Sequence, residues 1–269
     1  MRSEKINLRM KMKICNMSIV RKINYAGLIS SLLLVNILTV QAQQSMKPSS
    51  TQALSDTFDI IKHSFDLPQA LPSGKYYHSL GVLYVVVPRD WAHDIVNAPM
   101  FSYSGKYTLP KGFNAQFNYK TLIISNRILV GPWWNYDMDH FHFGVGYGVA
   151  FNFGWLNQFG FNTYLTGWEQ QPSLAVGYNW QRSALVLRGD LYWTNALYIT
   201  EGKNTIPYTN GFINGYSFTV SFDQRLYSQK VMTFGVKMNY IKYHVIAWPA
   251  FPVNQYRYWV PEFQMTLTF

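Results

Sequence analysis

The 269-residue chain carries a formal charge of +10, yet only 13% of its residues are charged while 17% are aromatic. Ordinary soluble domains hold about 25% charged residues, so this balance points away from a water-exposed globule. The single cysteine, Cys15, leaves no pair for a disulfide and no thiolate cluster for a metal.

From the amino terminus, Arg21 and Lys22 precede an apolar run from Ala26 to Val40, and Val40-Gln41-Ala42 places a small residue after it. That order reads as a secretory signal peptide over 1–42, its apolar run a helix, with the mature chain starting at Gln43. The segment holds seven Lys/Arg and one Glu, so its removal lowers +10 to +4. The high charge therefore belongs mostly to the leader, no basic stripe follows, and nucleic acid is not an expected partner. Residues 43–56, rich in Gln and Ser, read as a disordered periplasmic tail.

No apolar run of 18 residues follows Ala42, so no membrane-spanning helix is available. Without helices, a chain can cross lipid only as a closed β-barrel, because open strand edges leave backbone groups unsatisfied there. Residues 57–269 are assigned to that barrel. Tyr77–Val87, Pro99–Leu109, Gly112–Ile124 and Arg127–Trp134 read as extended, and with seven strands further on the count is eleven. Bacterial single-chain barrels have even numbers. Either Thr57–Phe65 adds a twelfth strand, the favoured expectation, or two segments are one bent strand and the count is ten.

The clearest strand is 141–153. Phe141, Phe143, Val145, Tyr147, Val149, Phe151 and Phe153 alternate with His142, Gly144, Gly146, Gly148, Ala150 and Asn152, a period of two with one bulky and one small face. The same rule holds over 172–181, 214–226 and 230–243. A secreted β-sandwich would also alternate, but its outer face would carry Lys and Glu for solubility. Here the less apolar face is Gly, Ser, Thr, Asn and Gln.

Connections alternate in length as outer-membrane barrels require, with short periplasmic turns and longer surface loops. Short turns fall near 181–183 and 227–229, long loops at 196–213 and 244–256. Counting back from a periplasmic carboxyl terminus makes 167–171 and 136–140 surface loops. It places turns at 154–157 and Ser125-Asn126 on the periplasmic side.

Alternation turns Arg188, Asp190, Asp223, Arg225, Lys237 and Glu262 inward. They form either ion pairs that hold a narrow barrel shut or a charged ring that selects permeant ions. At the 136–140 loop, alternation puts His140 and His142 on the lumen side and Asp137 and Asp139 on the other face or in the loop. Asp and His at an extracellular rim are similar to the groups that omptin proteases use, and two imidazoles on one side of a strand suit a metal. No second catalytic wall is evident, and polar rim residues in an aromatic band explain them as well. Trp133, Trp134, Trp155, Trp168, Trp180, Trp193 and Trp259 suit that band, where amphipathic rings sit at headgroup level. On the last long loop, Trp248, Phe251 and Tyr256, stiffened by Pro249 and Pro252, offer a stacking surface for a ligand. Phosphate-binding, zinc-protease and nucleophile-elbow motifs are absent, and nothing points to a cofactor.

The chain ends V-P-E-F-Q-M-T-L-T-F. Phe263, Met265, Leu267 and Phe269 point one way and Glu262, Gln264, Thr266 and Thr268 the other. This ending resembles the carboxyl-terminal assembly signal of bacterial outer-membrane β-barrels. With the leader and the loop rhythm, the chain resembles small outer-membrane barrels of Bacteroidota-type bacteria. The resemblance implies pairing of last strand with first, insertion by the barrel-assembly machinery, and outer-membrane lipids as surroundings. The expected role is a small passive pore for ions or polar solutes, or a closed structural barrel. A surface-loop binding protein or a rim hydrolase is the alternative.

Overall fold

The computed structural model describes Ile60 and residues 63–89, 96–157, 162–180, 182–202, 204–208, 211–226, 230–245 and 256–269. The expected signal-peptide helix and periplasmic tail lie outside these residues. Eleven strands are present: β1 (Tyr76–Val87), β2 (Val96–Thr108), β3 (Phe113–Thr121), β4 (Ser125–Met138), β5 (Phe141–Leu156), β6 (Thr163–Asn179), β7 (Ser183–Glu201), β8 (Asn204–Tyr208), β9 (Phe212–Arg225), β10 (Val231–Ile241) and β11 (Tyr258–Thr268).

Neighbouring strands pair antiparallel from β1 through β7, then β7 pairs with β9, β9 with β10 and β10 with β11. The ring closes where Ser79–Val85 of β1 meets Glu262–Thr268 of β11. Closure leaves no strand edge in the wall, the condition for a barrel in lipid. Ten strands make this ring. β8 is not one of them: it pairs only with the far end of β7, Asn204 opposite Glu201 and Tyr208 opposite Leu197.

The favoured count of twelve is therefore wrong, and the reason is local. Residues 167–171 were expected to form a surface loop, but they lie inside the 17-residue β6, with Gln170 and Gln171 paired to Val149 and Gly148 of β5. β5 pairs every residue of the stretch, so Gly167 and Pro172 do not break the strand, although the ladder with β7 shifts register between Trp168 and Glu169 and lapses at Gln171 and Pro172. Nor is there a strand among the described residues of Thr57–Phe65. Those residues, Ile60 and His63–Phe65, begin a segment running to Pro72 inside the barrel.

The outer wall is apolar: Leu80, Phe101, Phe143, Val145, Val149, Leu174, Val176, Phe218, Val220, Phe234 and Phe263 all stand exposed. Exposed Trp134, Trp155, Trp168, Trp180, Trp193 and Trp259 join them. Soluble monomers rarely expose apolar patches above a few hundred Å². A wall of this kind around a closed ring is that of a membrane-spanning barrel.

Candidate functional site

The lumen is filled in three layers, and every charged side chain of note sits in one of them. The first layer lies at the end that carries the carboxyl terminus. There the segment from Ser64 to Pro72 enters the barrel before β1 begins. The Ser64 hydroxyl donates to Asp223, which also accepts from Thr233 Oγ1 at 2.6 Å. Lys106 donates its ammonium to the Phe65 carbonyl and lies 4.9 Å over that ring. The Thr108 hydroxyl donates to Pro72 O at 2.6 Å, Asn135 Nδ2 to Gln69 O at 2.8 Å, and Ala70 N to the Asp137 carboxylate at 3.0 Å.

Wall glycines make room for this plug. A Cβ on Gly177 would stand 2.3 Å from Leu67 Cδ1, and one on Gly144 would stand 2.6 Å from Pro68 Cβ. Leu67, fully buried, packs with Ala184 and Val186. Asp66, half-buried within the plug, has its carboxyl pushed above the usual range by desolvation against the opposing pull of Arg188 and Lys106.

The second layer is ionic. Glu262 accepts from Lys120 at 2.7 Å and lies 3.9 Å from His244 Nε2. Asp190 accepts from Arg188 Nε at 2.8 Å, Lys237 Nζ at 3.1 Å and the hydroxyls of Ser173 and Ser217 at 2.6 and 3.2 Å. Arg127 donates to Glu169 at 2.6 Å and to Gln171 at 2.8 Å. Arg188 also lies 4.7 Å over the Trp133 ring. Asp190, Glu169 and Glu262 are all buried. Each has cationic or hydroxyl partners, which is what keeps a buried carboxylate from destabilising its surroundings.

The third layer, at the opposite end, is apolar. Leu83, Val85, Val87, Met100, Ile241, Val245 and Val260 form one buried cluster. The chain after β10 turns inward to build it, with Tyr243 N donating to Asn214 Oδ1 at 2.9 Å and Ser125 Oγ donating to Val245 O. Burial there pushes the His244 imidazole below its usual range, against the pull of Glu262. Between the ionic and apolar layers lies a cavity of about 50 Å³. Two of its lining atoms, Asn152 Oδ1 and Tyr243 OH, have no protein partner, and its size suits a few water molecules.

The inward residues expected from alternation are placed as follows. Arg188, Asp190, Lys237 and Glu262 share the ionic layer. Lys237 and Glu262 are direct cross-strand neighbours, but each takes a different ion-pair partner, Asp190 and Lys120. Asp223 belongs to the plug layer, and Arg225 sits half-buried at the end of β9. Lys106, Lys120, Arg127, Glu169 and the whole plug were missed. Lys120 was within reach, since it shares a face with Asn114, Gln116 and Asn118. Glu169 was hidden by reading 167–171 as a loop.

The Asp137–His142 turn is at the end that carries the carboxyl terminus, not the opposite rim. Removing one falsely inserted loop shifts the parity of every turn before it. Asp137 and His142 are opposite each other in register, so they share a face rather than oppose. His142 Nδ1 donates to Asp137 Oδ1 at 2.7 Å, and Nε2 is 2.9 Å from the Asn179 amide oxygen. Asp139 occupies the turn with φ of 53°, and exposed His140 packs on Tyr178. Among the described residues no group of three His, Cys, Asp or Glu is placed to hold a metal. Trp133 is buried in the lumen over Gly146 rather than in the interface band. Trp248 and Phe251 lie outside the described residues, and Tyr256 is exposed. Phe263 and Phe269 face outward, opposite the buried Glu262 and Thr268.

No protein-family profile and no curated protein matches the chain. Among solved structures it is similar to Neisserial surface protein A, at 14% identity and a TM-score of 0.37 over 72% of this chain and 95% of that one. It is similar to the translocator domain of the autotransporter NalP from Neisseria meningitidis, at 9% identity and 0.36, over 72% and 87%. An outer membrane channel from Pseudomonas putida F1 gives 8% identity and 0.36, over 75% and 98%. Likenesses this distant say nothing about activity, and the barrel assignment rests on this chain's own strand pairing.

Proposed function

We propose that the protein is an outer-membrane β-barrel that acts as a sealed structural element rather than as an open pore. The observation that carries this reading is the continuous filling of the lumen: plug, ion-pair layer and apolar layer succeed one another along the axis. A ten-stranded wall is narrow to begin with, since diameter grows with strand number and the interior of eight strands is filled by side chains or one small ligand. The ion pairs then do structural work, neutralising one another across the lumen instead of lining a water path.

The apolar outer wall and the aromatic carboxyl-terminal strand support residence in the outer membrane after export, with Phe263, Met265, Leu267 and Phe269 as the assembly signal. The likeness to Bacteroidota-type barrels fits the same reading. Asp137 and His142 hold the plug and each other in place, so they are given a positioning role and not a hydrolytic one. A liposome-swelling assay with the refolded chain tests the reading. Sugars and amino acids should enter no faster than into empty liposomes. Swelling that grows as solute size falls would replace the sealed barrel with a passive pore.

A further inference from the structure

The outer wall carries a depression of about 490 Å³ near the plug end, between β1 and β4. That volume lies within the roughly 300–1,000 Å³ of sites that hold a small ligand. Two of its lining residues, Ala115 and Pro132, are too short to fill the wall and stand exposed, while Gly105 beside them is covered by Tyr76. Tyr107, Ala115 and Pro132 are aligned across three strands, as are Gly105, Phe117 and Val130. Tyr76 reaches across Gly105, where its hydroxyl would stand 2.5 Å from an added Cβ, and hydrogen-bonds to the Tyr103 hydroxyl at 2.9 Å. Beneath the floor the ladder between β4 and β5 is interrupted. Pairing stops at Val130 and resumes at Trp133, because Pro132 has no N–H to give.

Two exposed lysines adjoin lining residues of the groove along the chain. Lys111 is exposed at the centre of the β2–β3 turn, between Leu109 and Phe113, both of which line the groove. The turn is held by Leu109 N donating to Phe113 O at 2.8 Å. Lys75, also exposed, immediately precedes Tyr76, and its backbone is pinned to Thr108 at the end of β2. Neither lysine makes an ion pair among the described residues, whereas Lys106, Lys120 and Lys237 are all committed inside the barrel.

From an apolar groove whose lining segments are flanked in the chain by two exposed lysines outside any ion pair, we infer that the outer wall binds one phospholipid with an anionic headgroup. An acyl chain lies along Ala115 and Pro132, and the phosphate meets Lys111 and Lys75. Basic residues at the ends of spanning segments recruit anionic headgroups in this way, and long Lys side chains reach the headgroup level readily. The inference rests on the reading that the apolar wall faces lipid, but not on whether the lumen is sealed.

Native mass spectrometry of the detergent-solubilised barrel, stripped of lipid and then offered phosphatidylglycerol or phosphatidylethanolamine, tests it. One phosphatidylglycerol should be retained in preference to phosphatidylethanolamine. Lys75→Ala with Lys111→Ala should weaken that retention by about fivefold per lysine and erase the preference. Ala115→Trp should fill the floor and abolish retention of both lipids. Folding of each variant is checked by the heat-modifiable gel shift of a closed barrel. Equal retention of the two lipids by the unaltered chain would overturn the assignment. So would unchanged retention in the folded lysine variant, or a dimer mass in place of the lipid adduct. A chain that folds but does not insert into vesicles would instead remove the membrane reading beneath it.

Discussion

At the scale of single residues, the stability of the lumen depends on partners that were only half legible. Alternation on β7, β10 and β11 pointed Arg188, Asp190, Lys237 and Glu262 inward, because a period of two needs only local sequence. It could not say which cation meets which carboxylate, since that is set by register around the ring. Glu262 illustrates the consequence. Replacing it with Gln leaves Lys120 facing a buried neutral group, and removing one member of a buried pair costs about 3–5 kcal/mol. Urea unfolding in detergent should show that loss for Glu262→Gln. Glu262→Leu combined with Lys120→Met should recover most of it, because no charge is then left uncompensated. Leu67→Ala should cost about 2–5 kcal/mol, the usual penalty for emptying a buried Leu site.

Asp66 gives the plug a pH dependence. Burial raises its carboxyl above the unfolded-chain value, so the folded state holds the proton more tightly than the unfolded state does. Its contribution is unfavourable at pH above the raised value and improves as pH falls through it toward the ordinary carboxylate range. Asp66→Asn removes this titration. Thermal unfolding from neutral to mildly acidic pH should therefore be flatter in the variant than in the unaltered chain. A steeper profile in the variant would contradict the assignment of this dependence to Asp66.

At the scale of elements, one wrong loop had effects well beyond its own residues. Gly167, Gln170, Gln171 and Pro172 have turn-like composition, yet β5 pairs with all four and holds them in a continuous β6. A closed wall overrides local propensity because each strand is held from both sides. The same inserted loop reversed the side assigned to residues 136–140. An orientation with the carboxyl terminus in the periplasm puts the β4–β5 turn on that side and the β10–β11 connection outside. In His140→Cys and Tyr256→Cys variants, a membrane-impermeant thiol reagent applied to intact cells should label Cys at 256 and spare Cys at 140 until the outer membrane is opened. The reverse pattern would mean that the barrel is inserted the other way.

At the scale of the whole molecule, the closed barrel was legible because its cause is distributed. Every strand must show lipid one face, and that leaves a two-residue period throughout the chain. The plug left no such trace. Ser64 to Pro72 is a short irregular stretch whose position depends on glycines far along the chain, at Gly144 and Gly177. Only the small inner face of β5 hinted that something had to fill the space opposite it.

Single-channel recording of the refolded chain in a planar bilayer tests the sealed lumen most directly, with insertion confirmed beforehand by protease protection. Long traces without unitary steps are expected under both polarities, for the unaltered chain and for the Lys237→Ala, Glu262→Ala variant that keeps the plug and apolar layers. Regular steps from the unaltered chain, with ion preference altered in that variant, would contradict the account and make the charged layer a selectivity ring.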